Sequence, residues 1–187
     1  VAAGDAEGAV GGVYRKNHLV PFGEYIPMKR LLFFAAPLVE SVSDFSAGDQ
    51  VTLMPVGGHR LSTAICYEVV YPGLAREAVS RGSELLTTIT NDAWYGRSSA
   101  PWQHFEQALV RAVEQGRYLV RSANTGVSGV VDPYGRVLAR SRLFNQVTVV
   151  SEARFLASRT IYGRTGDVFA YACVVLVAVA LVGGRWR

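Results

Sequence analysis

The chain has 187 residues, half of them hydrophobic, and a formal net charge of +4 at pH 7. This length is typical of one ordinary domain with a sizeable buried core. The basic residues are almost all arginines scattered along the chain and form no basic run, so we expect no nucleic-acid partner.

The two ends of the chain differ in composition from its middle. Residues 1–13 are rich in Gly and Ala, which predicts a flexible loop at a truncated start, as in the later part of a longer polypeptide. Val168–Gly184 carries no charge over 17 residues, the short limit for a membrane span. A buried strand or core helix has a similar composition. The Arg185-Trp186-Arg187 ending favours a transmembrane helix with a cytoplasmic C-terminus.

Between these ends, predicted strands and helices alternate, which is typical of an α/β domain with helices packed over the sheet. We place this domain at residues 14–160. The turn Asp132-Pro133-Tyr134-Gly135 is predicted to join two neighbouring strands. The predicted strands are residues 61–66, 85–90, 118–123, 127–131, 137–140 and 147–151, and the predicted helices are Pro72–Ser80 and residues 101–115.

Cys66 lies at the end of the first of these strands, just before the turn at Tyr71-Pro72-Gly73. Free cysteines are more often inert small hydrophobic residues than nucleophiles. The position favours a nucleophile, since a side chain at a strand end before a turn is accessible. Cys173 lies inside the terminal apolar segment, so we expect no disulfide between the two cysteines and a free thiol at Cys66.

Lys16 is a candidate cation for this thiol. A lysine is usually a solvated surface charge, but Lys16 precedes an apolar stretch that contains proline and ends at Glu24. Glu24 is expected to hold the ammonium by a charge-assisted hydrogen bond. A fixed cation beside a cysteine lowers the pKa of the thiol and stabilises a developing oxyanion. The sequence leaves both interpretations of Lys16 open.

Several blocks of sequence, taken in order, resemble the nitrilase domain of the apolipoprotein N-acyltransferase family. They are residues 16–25 (KNHLVPFGEY), 65–68 (ICYE), 91–96 (NDAWYG), 101–105 (PWQHF) and 124–129 (NTGVSG). The resemblance implies an α/β fold, namely the C-terminal part of a nitrilase-like α-β-β-α sandwich, followed by one transmembrane helix at Val168–Gly184. A soluble amidase of the nitrilase superfamily shares the lysine, the cysteine and the acid that follows it.

The activity that this resemblance implies is a two-stage acyl transfer. Cys66, as a thiolate, would take the acyl chain of a membrane phospholipid as a thioester. The N-terminal amino group of a diacylglyceryl-modified lipoprotein would then accept the chain. The resemblance implies no cofactor and no metal. It places the protein in the bacterial inner membrane with its catalytic domain on the extracytoplasmic face, and we expect a monomer.

The resemblance also implies roles for the residues around the cysteine. Lys16 and the backbone N–H of Tyr67 would hold the oxyanion. Glu24 and Glu68 would be supporting acids that orient Lys16 and the turn, and Tyr67 would line the pocket. Glu68 has a simpler alternative explanation, because a carboxylate is favourable at the start of a helix.

Four aromatic residues are candidates for substrate binding. Phe33 and Phe34 lie in residues 31–39, which show no clean period and form either a core segment or, as the resemblance implies, an apolar arm over the site. Trp94 and Tyr95 either pack down as ordinary loop aromatics or form a wall that guides the acyl chain.

The three histidines are not predicted to be catalytic residues or metal ligands on the strength of the sequence pattern. His104 is predicted to be a helix-surface or structural residue, because the implied mechanism already has its acid and base. His18 and His59 have no spacing that suggests a metal site.

The chain lacks two features of the family that it resembles. The catalytic glutamate of the family follows a Trp-Pro pair at a strand end before the lysine, and nothing of that kind precedes Lys16. Asp5 and Glu7 are poor substitutes, since they lie in the Gly/Ala-rich start. The upstream transmembrane helices are missing too, so we expect the chain alone to be inactive. A soluble amidase that hydrolyses a small C–N bond and a non-catalytic remnant remain alternatives.

Overall fold

The computed structural model describes residues 2–4, 10–25 and 45–184. Within these ranges the strands are β1 (Ala2–Gly4), β2 (Val10–Val13), β3 (Met54–Val56), β4 (His59–Ile65), β5 (Leu85–Asn91), β6 (Leu119–Asn124), β7 (Gly129–Val131) and β8 (Val137–Arg140). The helices are α1 (Pro72–Ser80), α2 (Ala100–Gln115), α3 (Ile161–Thr165) and α4 (Val168–Gly184), with 3₁₀ helices at Cys66–Val70 and Asp92–Tyr95.

Strands β3 to β8 form one sheet whose spatial order follows the sequence. The pairs β4–β5 and β5–β6 are parallel, and the other pairs in this sheet are antiparallel. Parallel neighbours need a crossover connection, which α1 and α2 supply. The carboxyl ends of β4, β5 and β6 therefore meet at one edge of the sheet, where ligands bind in open α/β sheets.

The core is built from the crossover helices and the central strands. Phe105, Ala108 and Ala112 recur at helical spacing on α2, and all three are fully buried. They belong to one apolar cluster with Leu86 of β5 and Leu119 of β6. This packing fixes the buried face of α2 against the sheet.

The predicted α/β class is confirmed, and most predicted elements are found within one or two residues of their expected bounds. The strand predicted at residues 147–151 is wrong, because this segment has no ladder partner and Val150 is 84% exposed. High β-propensity does not make a strand without a neighbouring edge to pair with. The first predicted strand also ends one residue early, at Ile65, and Cys66 begins a 3₁₀ helix instead.

Helix α4 is apolar and makes no buried contact. It is 17 residues long, and every one of its side chains is exposed. In the part of the chain that the structure describes, no helix combines the length and hydropathy required to cross a membrane.

Candidate active site

Cys66 occupies a sharp turn between β4 and the 3₁₀ helix that follows. Its φ angle is +55°, in the left-handed region that non-glycine residues rarely adopt. Such backbone conformations cost on the order of 1–3 kcal/mol and cluster at functional sites. The thiol is partly exposed, and neither Cys66 nor Cys173 forms a disulfide, as predicted.

Two cavities of about 400 and 460 Å³ lie beside Cys66. Both are lined by Cys66, Glu24, Asn91 and Trp94. The smaller cavity has mainly apolar and aromatic further walls, namely Val20, Gly23, Tyr67 and Tyr95. The larger one extends over the carboxyl ends of the strands, where Ile65, Ile89, Thr90, Ser122 and Asn124 line it. Cys66 therefore borders both cavities.

Lys16 and Glu24 form the ion pair that the sequence predicts. The Lys16 ammonium donates to both carboxylate oxygens of Glu24, at 2.5 and 2.7 Å. The Val20 backbone N–H donates to the same carboxylate at 2.8 Å, which fixes its orientation. Because the Lys16 side chain is only 11% exposed and Glu24 lines both cavities, the cation is held at the border of the site.

Glu68 lies beneath the cysteine turn and is 1% exposed. Its carboxylate accepts the hydroxyl of Tyr14 at 3.0 Å and the backbone N–H groups of Asn17 at 2.6 Å, His18 at 3.0 Å and Ile65 at 2.7 Å. Burial, and then the Glu68 charge, raises the pKa of Tyr14, so its hydroxyl stays a donor. Glu68 thus fits both explanations, because it caps the 3₁₀ helix and holds the lysine segment against it.

A buried ion pair with a histidine lies behind the turn. Asp92 is 0% exposed and accepts from Arg121 at 2.9 Å, while His104 Nδ1 lies 3.0 Å from the other Asp92 oxygen. His104 Nε2 lies 3.2 Å from the carbonyl oxygen of Cys66. The helix-surface interpretation of His104 is wrong, since it lies on the buried face of α2 and is 3% exposed. The structural interpretation fits these contacts.

The charge state of Asp92 follows from its partners. Burial alone would raise the pKa of this carboxyl, but the His104 ring at 3.0 Å, the Arg121 charge and the hydrogen bond from Thr90 together outweigh burial and lower the pKa. Asp92 is therefore an anion, and the Arg121 guanidinium lies against it inside the protein.

Trp94 and Tyr95 both line the smaller cavity. Trp94 is 84% exposed, so it does not pack down as an ordinary loop aromatic. Burial, and then the nearby Cys66, raises the pKa of the Tyr95 phenol, which stays neutral at the cavity wall. Phe33 and Phe34, like the rest of the predicted arm, lie outside the described residues, and so does the Arg185-Trp186-Arg187 ending.

Comparison with known families assigns the domain that carries this site to a family. The carbon-nitrogen hydrolase family model matches residues 2–155. This chain belongs to the carbon-nitrogen hydrolase family. That membership agrees with a cysteine at the carboxyl end of β4 and a Lys16–Glu24 pair beside the cavities.

Within the carbon-nitrogen hydrolases, the chain is similar to several proteins named apolipoprotein N-acyltransferase. It is 46% identical to the Geobacter metallireducens protein over 172 residues, covering 92% of this chain and 33% of that protein. It is 39% identical to the Pseudomonas putida protein over 181 residues, covering 93% of this chain and 35% of that protein. The chain thus spans about a third of the length of these relatives.

Among solved structures, the chain resembles another carbon-nitrogen hydrolase, an amidase from Nesterenkonia sp. AN1. The structure in which acrylamide has added to the active site cysteine of that amidase superimposes with a TM-score of 0.59 at 25% identity. The match covers 90% of this chain and 59% of the amidase.

The sequence predicted Cys66 and Lys16 as candidate residues of this site but not the buried ion pair behind them. Arg121 could have indicated this ion pair, because an arginine inside a predicted buried strand needs an anionic partner. Asp92 follows the neighbouring predicted strand and was the available anion. The contacts of His104 could not be predicted in this way. Helix periodicity indicates the buried face of α2 but not the strand ends that this face contacts.

Proposed function

We propose that this chain is the C-terminal part of the catalytic domain of an apolipoprotein N-acyltransferase. It would carry an acyl chain from a membrane phospholipid, through a thioester on Cys66, to the N-terminal amino group of a diacylglyceryl-modified lipoprotein. The observation that carries the proposal is Cys66 in a left-handed turn, facing an aromatic-lined cavity with the Lys16–Glu24 pair at its border. The identity to proteins named apolipoprotein N-acyltransferase supports it.

The chemistry divides into two balanced stages. In the first, the Cys66 sulfur attacks the ester carbonyl carbon, the ester C–O bond breaks, and the lysophospholipid leaves with the thiol proton. In the second, the amine nitrogen attacks the thioester carbonyl carbon, the C–S bond breaks, and the amine proton returns to the sulfur. Dividing one difficult transfer into two easier steps is the general advantage of a covalent intermediate.

The surrounding residues act on the charges that develop in both stages. The Lys16 ammonium and the Tyr67 backbone N–H stabilise the tetrahedral oxyanion, and Glu24 keeps the ammonium in place. The Tyr67 N–H is suited to this role, because the first amides of a helix have no acceptor within the helix. Glu68 supports the turn from below.

The acyl chain would lie in the smaller, aromatic-lined cavity, along Tyr67, Trp94 and Tyr95. We also propose Phe33 and Phe34 as residues that bind the acyl chain, and a catalytic domain that spans residues 14–160. The proposed architecture is a nitrilase-like α-β-β-α sandwich, to which this chain contributes the six-stranded sheet β3–β8 and the helices on it.

The proposal extends to the membrane. The described residues of α4, too few to cross a membrane alone, would form most of the C-terminal transmembrane helix of an inner-membrane protein, because all of its apolar side chains are exposed. At 1.5 Å per residue it covers about 25 Å, a little less than the roughly 30 Å hydrocarbon core. The catalytic domain would then lie on the extracytoplasmic face, beside the phospholipid substrate.

The test uses the full-length protein, incubated in detergent with a dipalmitoyl phospholipid. We expect a palmitoyl mass increment on the peptide that contains Cys66, released by hydroxylamine as thioesters are. Adding a diacylglyceryl-cysteine peptide is expected to move the increment to its amino terminus. Hydrolysis of small amides without an adduct from phospholipid would instead favour an amidase, which the Nesterenkonia similarity makes the second candidate. No adduct from either substrate would mean a non-catalytic protein.

Replacing Lys16 by methionine is expected to slow thioester formation about 10²–10³-fold, the usual cost of losing one oxyanion donor. The measurement is the rate at which the palmitoyl increment appears on Cys66 after mixing. Arg15→Met is the matched control, because it removes the neighbouring positive charge from an exposed side chain. Equal rates for the two variants would assign Lys16 no part in the chemistry.

A further inference from the structure

The carbonyl of Cys66 and the N–H of Tyr67 belong to one peptide group. That group is trans and planar, so its C=O and N–H bonds point in opposite directions. His104 Nε2 lies 3.2 Å from the carbonyl oxygen. Any group that fixes the direction of this carbonyl therefore also fixes the direction of the Tyr67 N–H.

The hydrogen bond defines where the His104 ring carries its proton. A carbonyl oxygen only accepts, so Nε2 must be the donor. The other nitrogen, Nδ1, lies 3.0 Å from both the Asp92 carboxylate and the Arg121 guanidinium. A neutral ring accepts there from Arg121, and a protonated ring donates there to Asp92. In both of these states Nε2 bears the proton that faces Cys66, whereas the remaining tautomer, with Nδ1–H donating to Asp92, would set two acceptors against each other at 3.2 Å.

The ring is also held rigidly. His104 is 3% exposed, and the pair behind it, Asp92 and Arg121, is 0% and 2% exposed. Asp92 is fixed further by the hydroxyl of Thr90 at 2.9 Å. These anchors come from α2, the end of β5 and β6, so the donor is preorganised by the core of the domain.

The peptide group that accepts this hydrogen bond belongs to the strained residue, Cys66. Cys66 has a φ angle of +55°, which costs an L-residue with a β-carbon roughly 1–2 kcal/mol. Unless an outside contact holds it, such a peptide can relax by rotating, and the Tyr67 N–H would rotate with it. His104 is placed to oppose that rotation from the buried side of the turn.

We propose that His104 is a positioning residue, which aims the Tyr67 N–H at the reacting carbonyl by holding the Cys66 carbonyl from behind. The inference deepens the proposed acyl transfer and rests on it for the oxyanion. A hydrogen bond accepted by the C=O of a peptide also strengthens its N–H as a donor, so the ring polarises the group that it orients. His104 itself touches neither substrate nor thiol in this scheme.

The test compares His104→Asn with His104→Gln in the full-length protein. The amide nitrogen of glutamine reaches the position of Nε2 and keeps the donor, whereas that of asparagine reaches only the position of Nδ1 and loses it. Each variant is acylated with p-nitrophenyl butyrate, which passes through an oxyanion, and alkylated with iodoacetamide, which does not. Both rates are measured on the Cys66 peptide by mass spectrometry across a pH series.

We expect His104→Asn to slow acylation on the order of 10 to 100-fold, while alkylation stays within about 3-fold of the wild-type rate at every pH. His104→Gln should recover most of the acylation. A parallel fall of both rates in His104→Asn, or an unchanged acylation rate, overturns the inference. If His104→Asn does not fold, His104→Gln decides alone, since a tenfold lower ratio of acylation to alkylation contradicts it.

These reactions separate the inference from the proposed function. The activated ester replaces the phospholipid, so both rates can be measured in a protein that transfers nothing to a lipopeptide. A normal His104 effect without transfer to the lipopeptide would contradict the acyltransferase proposal alone. Transfer that proceeds with no His104 effect would contradict the inference alone.

Discussion

Replacing Cys66 by alanine is expected to abolish the acyl adduct and to lower transfer to a lipopeptide by at least about 10³-fold, the scale of losing a catalytic nucleophile. No other described side chain in the two cavities offers a thiol to form the thioester. The measurement is the intact mass after incubation with phospholipid, together with the rate of lipopeptide acylation.

Cys173→Ala is the matched control for this change. Cys173 is the second cysteine of the chain, and it is exposed on α4, away from the cavities. Its removal is expected to leave both the adduct and the transfer rate unchanged. An adduct that survives in Cys66→Ala but disappears in Cys173→Ala would place the nucleophile on α4 and end the proposal for Cys66.

Replacing Arg121 by methionine is expected to lower the free energy of unfolding by about 3–5 kcal/mol, the cost of leaving a buried charge without its partner. Arg121 donates to Asp92 and to the carbonyl of Val127, and Asp92 has no exposure to water. The shift of the denaturant midpoint measures the loss. Asp92→Asn on the Arg121→Met background should recover part of it, because the uncompensated charge is then gone.

The control for Arg121 is Arg81, an exposed arginine that also pairs with a carboxylate. Arg81 pairs with Glu77 at 2.6 Å one turn away on α1, but both side chains are about half exposed. Arg81→Met should cost less than about 0.5 kcal/mol, as surface ion pairs usually do. If both variants lost the same stability, burial of the Asp92–Arg121 pair would contribute nothing to the fold.

The pH dependence of this pair has a definite sign. The pKa of Asp92 is lowered in the folded protein, so its contribution to stability is fully present above its ordinary value of about 4. That contribution is lost as the pH falls through the lowered pKa. Without Arg121 a main cause of the lowering is absent, so denaturant midpoints measured along a pH series should fall over a narrower range below about pH 4, and by less, than in the wild type.

The sequence predicted the parts of the fold that depend on local pattern. The helix at Pro72–Ser80 begins with proline, ends before Gly82 and has the expected bounds. The pairing of Lys16 with Glu24 was also predictable, since both residues lie in one short segment. The failed strand at residues 147–151 shows the limit, because pairing depends on a free sheet edge that propensity does not report.

The contacts around Cys66 depend on tertiary packing and were therefore harder to predict from the sequence. The apolar run continues past Ile65 into Val69 and Val70, so the pattern alone does not show where the strand stops and the 3₁₀ helix starts. The buried face of α2 was predictable, but the strand end that His104 meets is fixed by the order of the sheet. The contacts of Glu68 likewise could not be predicted without the fold, since its partners Asn17 and His18 are far away in sequence.

The hydrogen bonds of Glu68 have a consequence for motion. One carboxylate group holds the amides of Asn17 and His18 on one side and the amide of Ile65 on the other. Neither segment can detach without leaving the buried Glu68 carboxylate short of hydrogen-bond donors. The two segments therefore belong to one cooperative unit of local unfolding. The lysine and the cysteine therefore open to solvent together, and a half-assembled site with only one of them in place is scarcely populated.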